Sequence, residues 1–209
     1  MVSKKVPLSK KKAALAGLNL STAKMTKQER AIEVEITGEE PGLLMNSPQA
    51  MLDQARSKSK KSTEKPTPEE SAESSAYKMK DGTLCLHSEH LKGSLINSSG
   101  AYKIGKKGAA QFVAGTVRVW PREISLGTKQ YEIDIRPVVI QRNRILKARA
   151  LLPEWKARFY LIYDPTYGIT GPVLKAMLTE AGRRVGVLDF RPQHRGEFGR
   201  YNITYWKEL

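Results

Sequence analysis

The chain has 209 residues, of which 40% are hydrophobic, and its 36 Lys and Arg against 21 Asp and Glu give a formal net charge of +15. This length suits one domain with an appendage, or two very small domains. A cationic excess of this size favours a polyanionic partner, either nucleic acid or an anionic membrane surface.

Hydropathy and cysteine content narrow these classes. No run approaches the ~20 apolar residues of a membrane-spanning helix, and no apolar segment of a signal peptide follows the basic start. We therefore expect a cytoplasmic protein without a membrane partner. The single cysteine, Cys85, excludes an internal disulfide, and three histidines disfavour a zinc site, so we expect neither a metal nor a cofactor.

Residues 1–30 predict a basic N-terminal arm, because eight Lys and Arg residues face one acidic residue, Glu29. Like charges at this density repel each other and keep a segment disordered until it meets an opposite charge. The arm is either a solubilising tail or a contact for nucleic acid or a neighbouring subunit. Residues 31–209 are expected to form the folded domain.

The domain opens with a strand over residues 31–38, where Ile, Val and Ile alternate with polar residues. Asn46-Ser47-Pro48 predicts the cap of a brief helix that extends to about residue 56. Residues 57–75 lose almost all apolar character and predict a mobile insertion. Asp81-Gly82 predicts the turn of a hairpin over residues 77–86.

Two helices and several strands follow. Ser88 predicts the cap of a helix from residue 89 to about 98, where Gly93 costs about 1 kcal/mol relative to Ala unless a close approach of another backbone or a ligand justifies it. A second helix is expected to begin at Thr170-Gly171-Pro172 and to end at Gly182. The expected strands mix basic and apolar residues, which predicts a sheet with one side on the core and one side positive. They cover residues 117–120, 131–141, 145–152 and 155–163, with a basic turn at Arg142-Asn143-Arg144.

The C-terminal segment combines a basic loop with a strand. Residues 191–200 carry three Arg, one His and two Gly, and predict a flexible loop whose backbone can approach a ligand and whose guanidinium groups suit phosphate. Tyr201, Ile203 and Tyr205 then alternate with polar residues as in a strand. The order of elements predicts an α+β fold with helices on one face of an antiparallel sheet, including the split βαβ or ferredoxin-like arrangement.

Three segments share one family pattern over roughly residues 31–206. They are KDGTLCLHSEHLKGSLINSS with its Leu91-Lys92-Gly93, the segment from Gly42 to Asn46 behind the first strand, and the Gly-aromatic-Gly-basic ending at Gly196, Phe198, Gly199 and Arg200. In this order they resemble the RAMP superfamily of CRISPR effector proteins, most closely its backbone subunits, and also RAMP-like proteins of phages. The chain departs from the pattern at His87 and Ser88, where Pro-Gly is common, and in a sparser glycine loop.

The resemblance implies an RRM-like domain that binds RNA, often as a repeating subunit along a guide and together with other effector subunits. Independently, the basic residues and scattered aromatic rings suit a groove for a single strand, because phosphates supply affinity and bases stack on rings. His194 and Phe198 are expected either to stack on bases or to shape the loop, and His194 is equally well explained as a solvent-exposed imidazole. The predicted nucleic-acid-binding residues are Lys92, Lys103, Lys106, Lys107, Arg142, Arg144, Lys147, Arg149, Arg191, His194, Arg195, Phe198 and Arg200.

Two other functions stay open. One is a sequence-neutral single-stranded DNA-binding protein of phage replication or recombination, and the other is a RAMP-type endoribonuclease with an acidic residue in a mobile loop. Asp53 and Asp81 are its only candidates, and they are better explained as an early helix residue and a turn residue, while Asp189 is expected to pair with an arginine. No acid–base pair stands at a convincing spacing, so we expect no catalysis. The central expectation is that Lys92, Arg144 and Arg195 converge on one furrow beside the sheet.

Overall fold

A computed structural model of the chain describes residues 19–48, 66–140 and 142–209. The helix expected up to residue 56, the candidate Asp53 and residues 1–18 of the basic arm lie outside them. Among the described residues the helices are α1 (Pro68–Ser75), α2 (Ser88–Ser99), α3 (Ala109–Thr116) and α4 (Gly171–Glu180). The strands are β1 (Arg30–Gly38), β2 (Leu43–Leu44), β3 (Cys85–His87), β4 (Lys103–Ile104), β5 (Lys107–Gly108), β6 (Val117–Trp120), β7 (Glu123–Ser125), β8 (Glu132–Ile140), β9 (Asn143–Leu152), β10 (Lys156–Tyr163) and β11 (Tyr201–Glu208).

The chain is a mixed α and β protein with antiparallel sheets, as predicted. Its central sheet has the order β11-β1-β10-β6, and each neighbouring pair is antiparallel. The alternation expected over residues 31–38 is confirmed, because Ile32, Val34 and Ile36 are fully buried on one face of β1. Helices α2, α3 and α4 pack on that face through residues of the same hydrophobic core.

The opposite face of the central sheet is not uniformly positive, which corrects the expectation of a basic side. Glu33 and Glu35 project from it, and Glu33 forms an ion pair with Arg158 at 2.7 Å. The face is also partly covered, since Ala23, Leu20 and Met25 pack on Tyr160 and Ile162. Residues 19–30 of the expected basic arm are therefore part of the fold.

A second sheet has the order β2-β9-β8, and β8 and β9 form one long hairpin. Helix α1 packs against this sheet, which makes the expectation of a mobile insertion wrong for residues 68–75. The helix has a capping box, because Thr67 Oγ1 accepts from the Glu70 amide and Glu70 Oε2 accepts from the Thr67 amide. Ser75 is buried and its Oγ accepts from the Ala150 amide at 2.8 Å, which fixes the helix to β9.

Two expected helix boundaries differ. Helix α2 begins at Ser88 with His87 as its cap residue, and no described atom lies within 4 Å of where a Cβ on Gly93 would be, so no close approach justifies that glycine. Gly182 does not end α4, because the chain continues through a π-helical turn, Ala181–Val185, as far as Gly186 at φ +72°. Gly182 is required instead because a Cβ there would lie 2.1 Å from the Tyr201 carbonyl oxygen.

The last strand is confirmed but its alternation is not. A bulge between Glu35 and Ile36 in the pairing with β11 shifts the register, so Tyr205 lies opposite Glu35 and is exposed. Trp206 packs against the core in its place.

Cys85 is buried and its thiol pKa is raised to about 11 by burial, as suits an inert core residue. None of the helices in the described ranges is long and apolar enough to cross a membrane.

Candidate nucleic-acid interface

The β8–β9 hairpin carries the most exposed basic and apolar side chains of the second sheet. Arg142, at φ +69°, forms its turn, and Arg144 follows on β9. Leu146 is 75% exposed and Ile145 is 44% exposed. Lys147 and Arg149 share a face, whereas the register places Arg144 and Leu146 on the other face.

The base of the hairpin is fixed to the segment that contains the basic loop. Arg149 is buried, and its Nη1 forms an ion pair with Asp189 Oδ2 at 2.5 Å, which confirms the expected arginine partner of Asp189. The Arg136 guanidinium lies 4.5 Å from the centroid of the Phe198 ring. The Asp189 amide also donates to the Leu44 carbonyl oxygen at 3.1 Å. These contacts therefore hold the base of the hairpin against the segment that contains the loop.

The basic loop is folded tightly on itself rather than flexible. Gly196 is buried, and a Cβ there would lie 1.7 Å from the Phe190 carbonyl oxygen. The amides of Gly196 and His194 both donate to the Arg191 carbonyl oxygen, at 3.1 and 2.8 Å. Its glycine thus allows a close approach of the loop's own backbone.

Only two of the five loop residues predicted to bind nucleic acid are exposed. His194 and Arg195 are exposed, and neither side chain has a hydrogen bond or an ion pair within the described chain. Arg191 donates to the Leu188 carbonyl oxygen at 2.8 Å, and Arg200 donates to the Arg183 carbonyl oxygen at 2.6 Å. Phe198 is 1% exposed, so of its two expected roles the burial favours shaping the loop over stacking on a base.

A cluster of three rings lies beside this loop, and the sequence had not indicated it. Tyr77 lies with its ring centroid 5.1 Å from that of His87 and 4.9 Å from that of His90, and the two imidazoles stack at 5.6 Å with an interplanar angle of 4°. We call Tyr77, His87 and His90 the histidine–tyrosine cluster. The signal available in the sequence was the i,i+3 spacing of the two histidines at the start of a helix.

The cluster is linked to the hairpin through Asn46. The Tyr77 hydroxyl donates to the Asn46 carbonyl oxygen at 3.2 Å, and Lys147 Nζ donates to Asn46 Oδ1 at 2.7 Å. Burial lowers the pKa of Lys147, and the charge of Arg149 lowers it further. Lys147 is thus half-buried at the hairpin base, while Arg142 and Arg144 are exposed beyond it.

Burial also lowers the pKa of His90 to about 4, with smaller contributions of the same sign from the charges of His87 and Arg191. Its Nδ1 is buried without a hydrogen-bond partner. A neutral imidazole next to a second imidazole, a phenol and a guanidinium can accept a proton or present a ring to a base.

The remaining predicted residues lie elsewhere. Lys107 lines the same cleft as Asp164, and Asp164 directly follows the last residue of β10. The base of the hairpin lies at the other end of that strand, because β9 leads into the first residue of β10. The eight residues of β10 span about 25 Å, so exposed Lys103, Lys106 and Lys107 lie near the opposite end of the sheet from the hairpin base.

Lys92 does not face the loop. His90, whose pKa is influenced by Arg191, and Asn97, which donates to Gln193 Oε1 at 3.3 Å, lie on the side of α2 next to the loop. At 100° per residue, Lys92 lies roughly 150° around the helix from both. The expected convergence of Lys92 with Arg144 and Arg195 on one furrow is therefore wrong for Lys92.

No protein-family model matches the chain, and no curated protein matches it. Inference about function therefore depends on geometry. The Arg149–Asp189 and Arg136–Phe198 contacts fix the base of the hairpin to the segment that contains the loop, and the lysines of β4 and β5 and Lys92 lie apart from both. We call Arg142, Arg144, Lys147, His194 and Arg195 the hairpin–loop surface.

Proposed function

We propose that the chain binds single-stranded RNA, as a non-catalytic subunit that repeats along a guide RNA or a transcript, through the hairpin–loop surface. The observation that carries the proposal is the β8–β9 hairpin. Its exposed arginines, Arg142 and Arg144, stand next to the exposed side chains of Ile145 and Leu146, while its base is fixed by the buried Arg149–Asp189 ion pair. Cations neutralise phosphates and apolar side chains contact base faces, which is the combination that a single strand requires.

The fold supports the same proposal. Helices α2 and α3 connect β1 to β6, and α4 connects β10 to β11, within a sheet of order β11-β1-β10-β6. This connectivity is the one expected of a split βαβ or ferredoxin-like domain, and we propose that the chain is RRM-like in this sense. It agrees with the proposed membership of the RAMP superfamily. The bound strand contacts the hairpin and the loop rather than the open sheet face, where Glu35 would repel phosphates and Arg158 is already paired with Glu33.

The proposal is tested by anisotropy titrations of labelled single-stranded RNA and DNA oligomers across a salt series. We expect Arg142→Ala/Arg144→Ala to weaken RNA binding by about tenfold or more and to lower the salt slope by about 1.4, because two phosphate contacts are lost. The matched control is Lys103→Ala/Lys106→Ala, which removes the same charge at the other end of the sheet and should change affinity less than about twofold.

Each outcome bears on a different part of the proposal. Equal losses of RNA affinity in the two double variants would mean that affinity depends only on net charge. The assignment of binding to the hairpin–loop surface would then be wrong. Equal affinity for RNA and DNA oligomers would replace RNA binding by sequence-neutral single-stranded DNA binding, since only RNA offers 2′-hydroxyl groups.

A second candidate function, metal-independent RNA cleavage, is favoured by the histidine–tyrosine cluster beside Arg191. In this alternative a neutral imidazole takes the proton of a ribose 2′-hydroxyl, the oxygen attacks the neighbouring phosphorus, and the 5′-oxygen leaves with a proton from a second group. Incubation of RNA with the protein in EDTA should then yield a 2′,3′-cyclic phosphate and a 5′-hydroxyl. Cleavage should be lost in His87→Ala and His90→Ala but not in His194→Ala. Intact RNA after prolonged incubation would exclude this alternative.

A further inference from the structure

A cleft of about 610 Å³ lies at the edge of the central sheet, away from the hairpin–loop surface. Its walls come from the turn before β1, from β5 and α3, and from the segment after β10, with Arg118 of the edge strand β6 among the lining residues. This volume falls within the range of about 300–1,000 Å³ that is typical of small-molecule sites.

Two charged groups of the cleft neutralise each other. Arg118 Nη2 forms an ion pair with Glu29 Oε2 at 3.0 Å, and Arg118 Nε donates to Glu29 Oε1 at 3.2 Å. Glu29 Oε2 also accepts from the Thr26 amide at 2.8 Å. This pair fixes the wall formed by the turn before β1 and contributes little net charge to the space beside it.

Other polar groups of the cleft are available to a ligand. The side chains of Lys107, Gln28 and Gln111 are exposed and make no hydrogen bond within the described chain. The amide and the hydroxyl of Thr166 both donate to Oδ1 of Asp164, which leaves Oδ2 as an acceptor. The ring of Tyr167 is 53% exposed at the same cleft.

Together these groups match the parts of one ligand class. A lysine suits a phosphate, a carboxylate oxygen accepts from ribose hydroxyls, side-chain amides pair with the donors and acceptors of a base edge, and an exposed ring stacks on the base. We propose that the cleft binds a nucleoside 5′-monophosphate, with the phosphate at Lys107, the ribose at Asp164 and the base on Tyr167. The ligand is either a free nucleotide or the 5′-phosphorylated end of an RNA strand. The site stands independently of the hairpin–loop surface.

The test is calorimetric titration of the full chain with adenosine 5′-monophosphate. We expect a dissociation constant below about 1 mM, and a loss of about tenfold or more in Tyr167→Ala, because stacking on a ring contributes about 1–3 kcal/mol. Lys107→Ala should weaken binding to a similar degree, whereas the neighbouring Lys106→Ala, outside the cleft, should change it less than about twofold. Asp164→Asn keeps an acceptor for Thr166 and should weaken the ribonucleotide more than its 2′-deoxy counterpart.

Competition with short RNA oligomers separates the two sources of the ligand. Displacement of the nucleotide by a 5′-phosphorylated oligomer but not by its 5′-hydroxyl counterpart assigns the cleft to a strand end, and no displacement by either assigns it to free nucleotides. Both results uphold the site. Absence of binding up to about 5 mM nucleotide, or equal binding by the wild type, Tyr167→Ala and Lys107→Ala, overturns it. Because Arg142→Ala/Arg144→Ala leaves the cleft unchanged, nucleotide binding is measured separately from RNA binding by the hairpin.

Discussion

At the scale of single residues, His90 shows how the fold sets the chemistry of a side chain. It packs against Tyr77 and His87, its Nδ1 is buried without a partner, and its pKa falls from 6.5 to about 4, chiefly because burial disfavours the charged form. The ring is therefore neutral at pH 7.

This neutral state predicts a pH dependence of stability. Between pH 6.5 and about 4 the unfolded state binds one more proton at His90 than the folded state, so the free energy of unfolding rises with pH. The contribution is fully present above pH 6.5 and is lost as pH falls towards 4, by up to about 1.4 kcal/mol per pH unit. In urea unfolding across this range, His90→Gln should flatten the curve relative to the wild type.

The matched control for this measurement is His194→Gln, because His194 is exposed in the loop. Carboxyl groups with lowered pKa, such as those of Glu73 and Asp81, destabilise the wild type and both variants alike at low pH. The difference between variant and wild type therefore isolates the histidine. Parallel curves for the wild type and His90→Gln would contradict a buried neutral His90.

Residue roles that depend on local sequence were predictable. Asp81 accepts from the Thr83 amide and hydroxyl in the expected turn. Burial was not predictable in the same way. Phe198 and Arg149 look exposed within basic stretches of sequence, but the contacts between the hairpin and the loop segment bury both. These contacts join residues 40 positions apart for Arg149–Asp189 and 62 positions apart for Arg136–Phe198.

At the scale of elements, the sequence predicted the first strand, where apolar and polar residues alternate, but it did not predict the helix in the polar segment. Strand β1 follows its alternation closely, whereas in β8 the alternating Ile133 and Ile135 are 41% and 50% exposed. Helix α1 was missed because its sequence, PEESAESS, has almost no apolar stripe, and tertiary contact through Ala72 and Ser75 stabilises it instead. In the pairing of β1 with β11 a bulge shifts the register, so Trp206 rather than Tyr205 packs against the core. The alternation of residues in the sequence does not predict where a bulge occurs.

Two glycines give a matched prediction about helices. Gly93→Ala should stabilise the protein by up to about 1 kcal/mol, because the new methyl group meets no described atom within 4 Å and helix propensity improves. Gly182→Ala should destabilise it by about 1–3 kcal/mol or more, because the Cβ would lie 2.1 Å from the backbone oxygen of Tyr201. Urea denaturation of the two variants measures both effects. Destabilisation by Gly93→Ala would indicate that another group occupies the space beside α2.

At the scale of the whole molecule, exposed cations fall into separate regions. The hairpin and the loop share one end of the central sheet, and the lysines of β4 and β5 lie near the other end, beside the proposed nucleotide cleft. Net charge was evident from composition, and the proposal of a polyanionic partner rests on it. The division of that charge between regions depends on the order of strands, which composition does not encode.

The open face of the central sheet is the strongest rival surface for a single strand in an RRM-like domain. Arg158 on that face already pairs with Glu33, and its guanidinium lies 5.0 Å from the centroid of the Tyr205 ring. The charge of Arg158 and the ring of Tyr205 therefore contact groups of the protein itself. Residues 19–25 cover a further part of it. These contacts favour the hairpin–loop surface.

Photo-crosslinking of a 4-thiouridine-substituted single-stranded RNA, followed by mass spectrometry of the crosslinked peptides, distinguishes these surfaces most directly. We expect crosslinks in peptides that contain Arg142 to Leu146 and in those that contain His194 and Arg195, and their yield should fall as salt rises. Crosslinks confined to Trp120 and Tyr205 on the open sheet face would contradict the proposed binding surface.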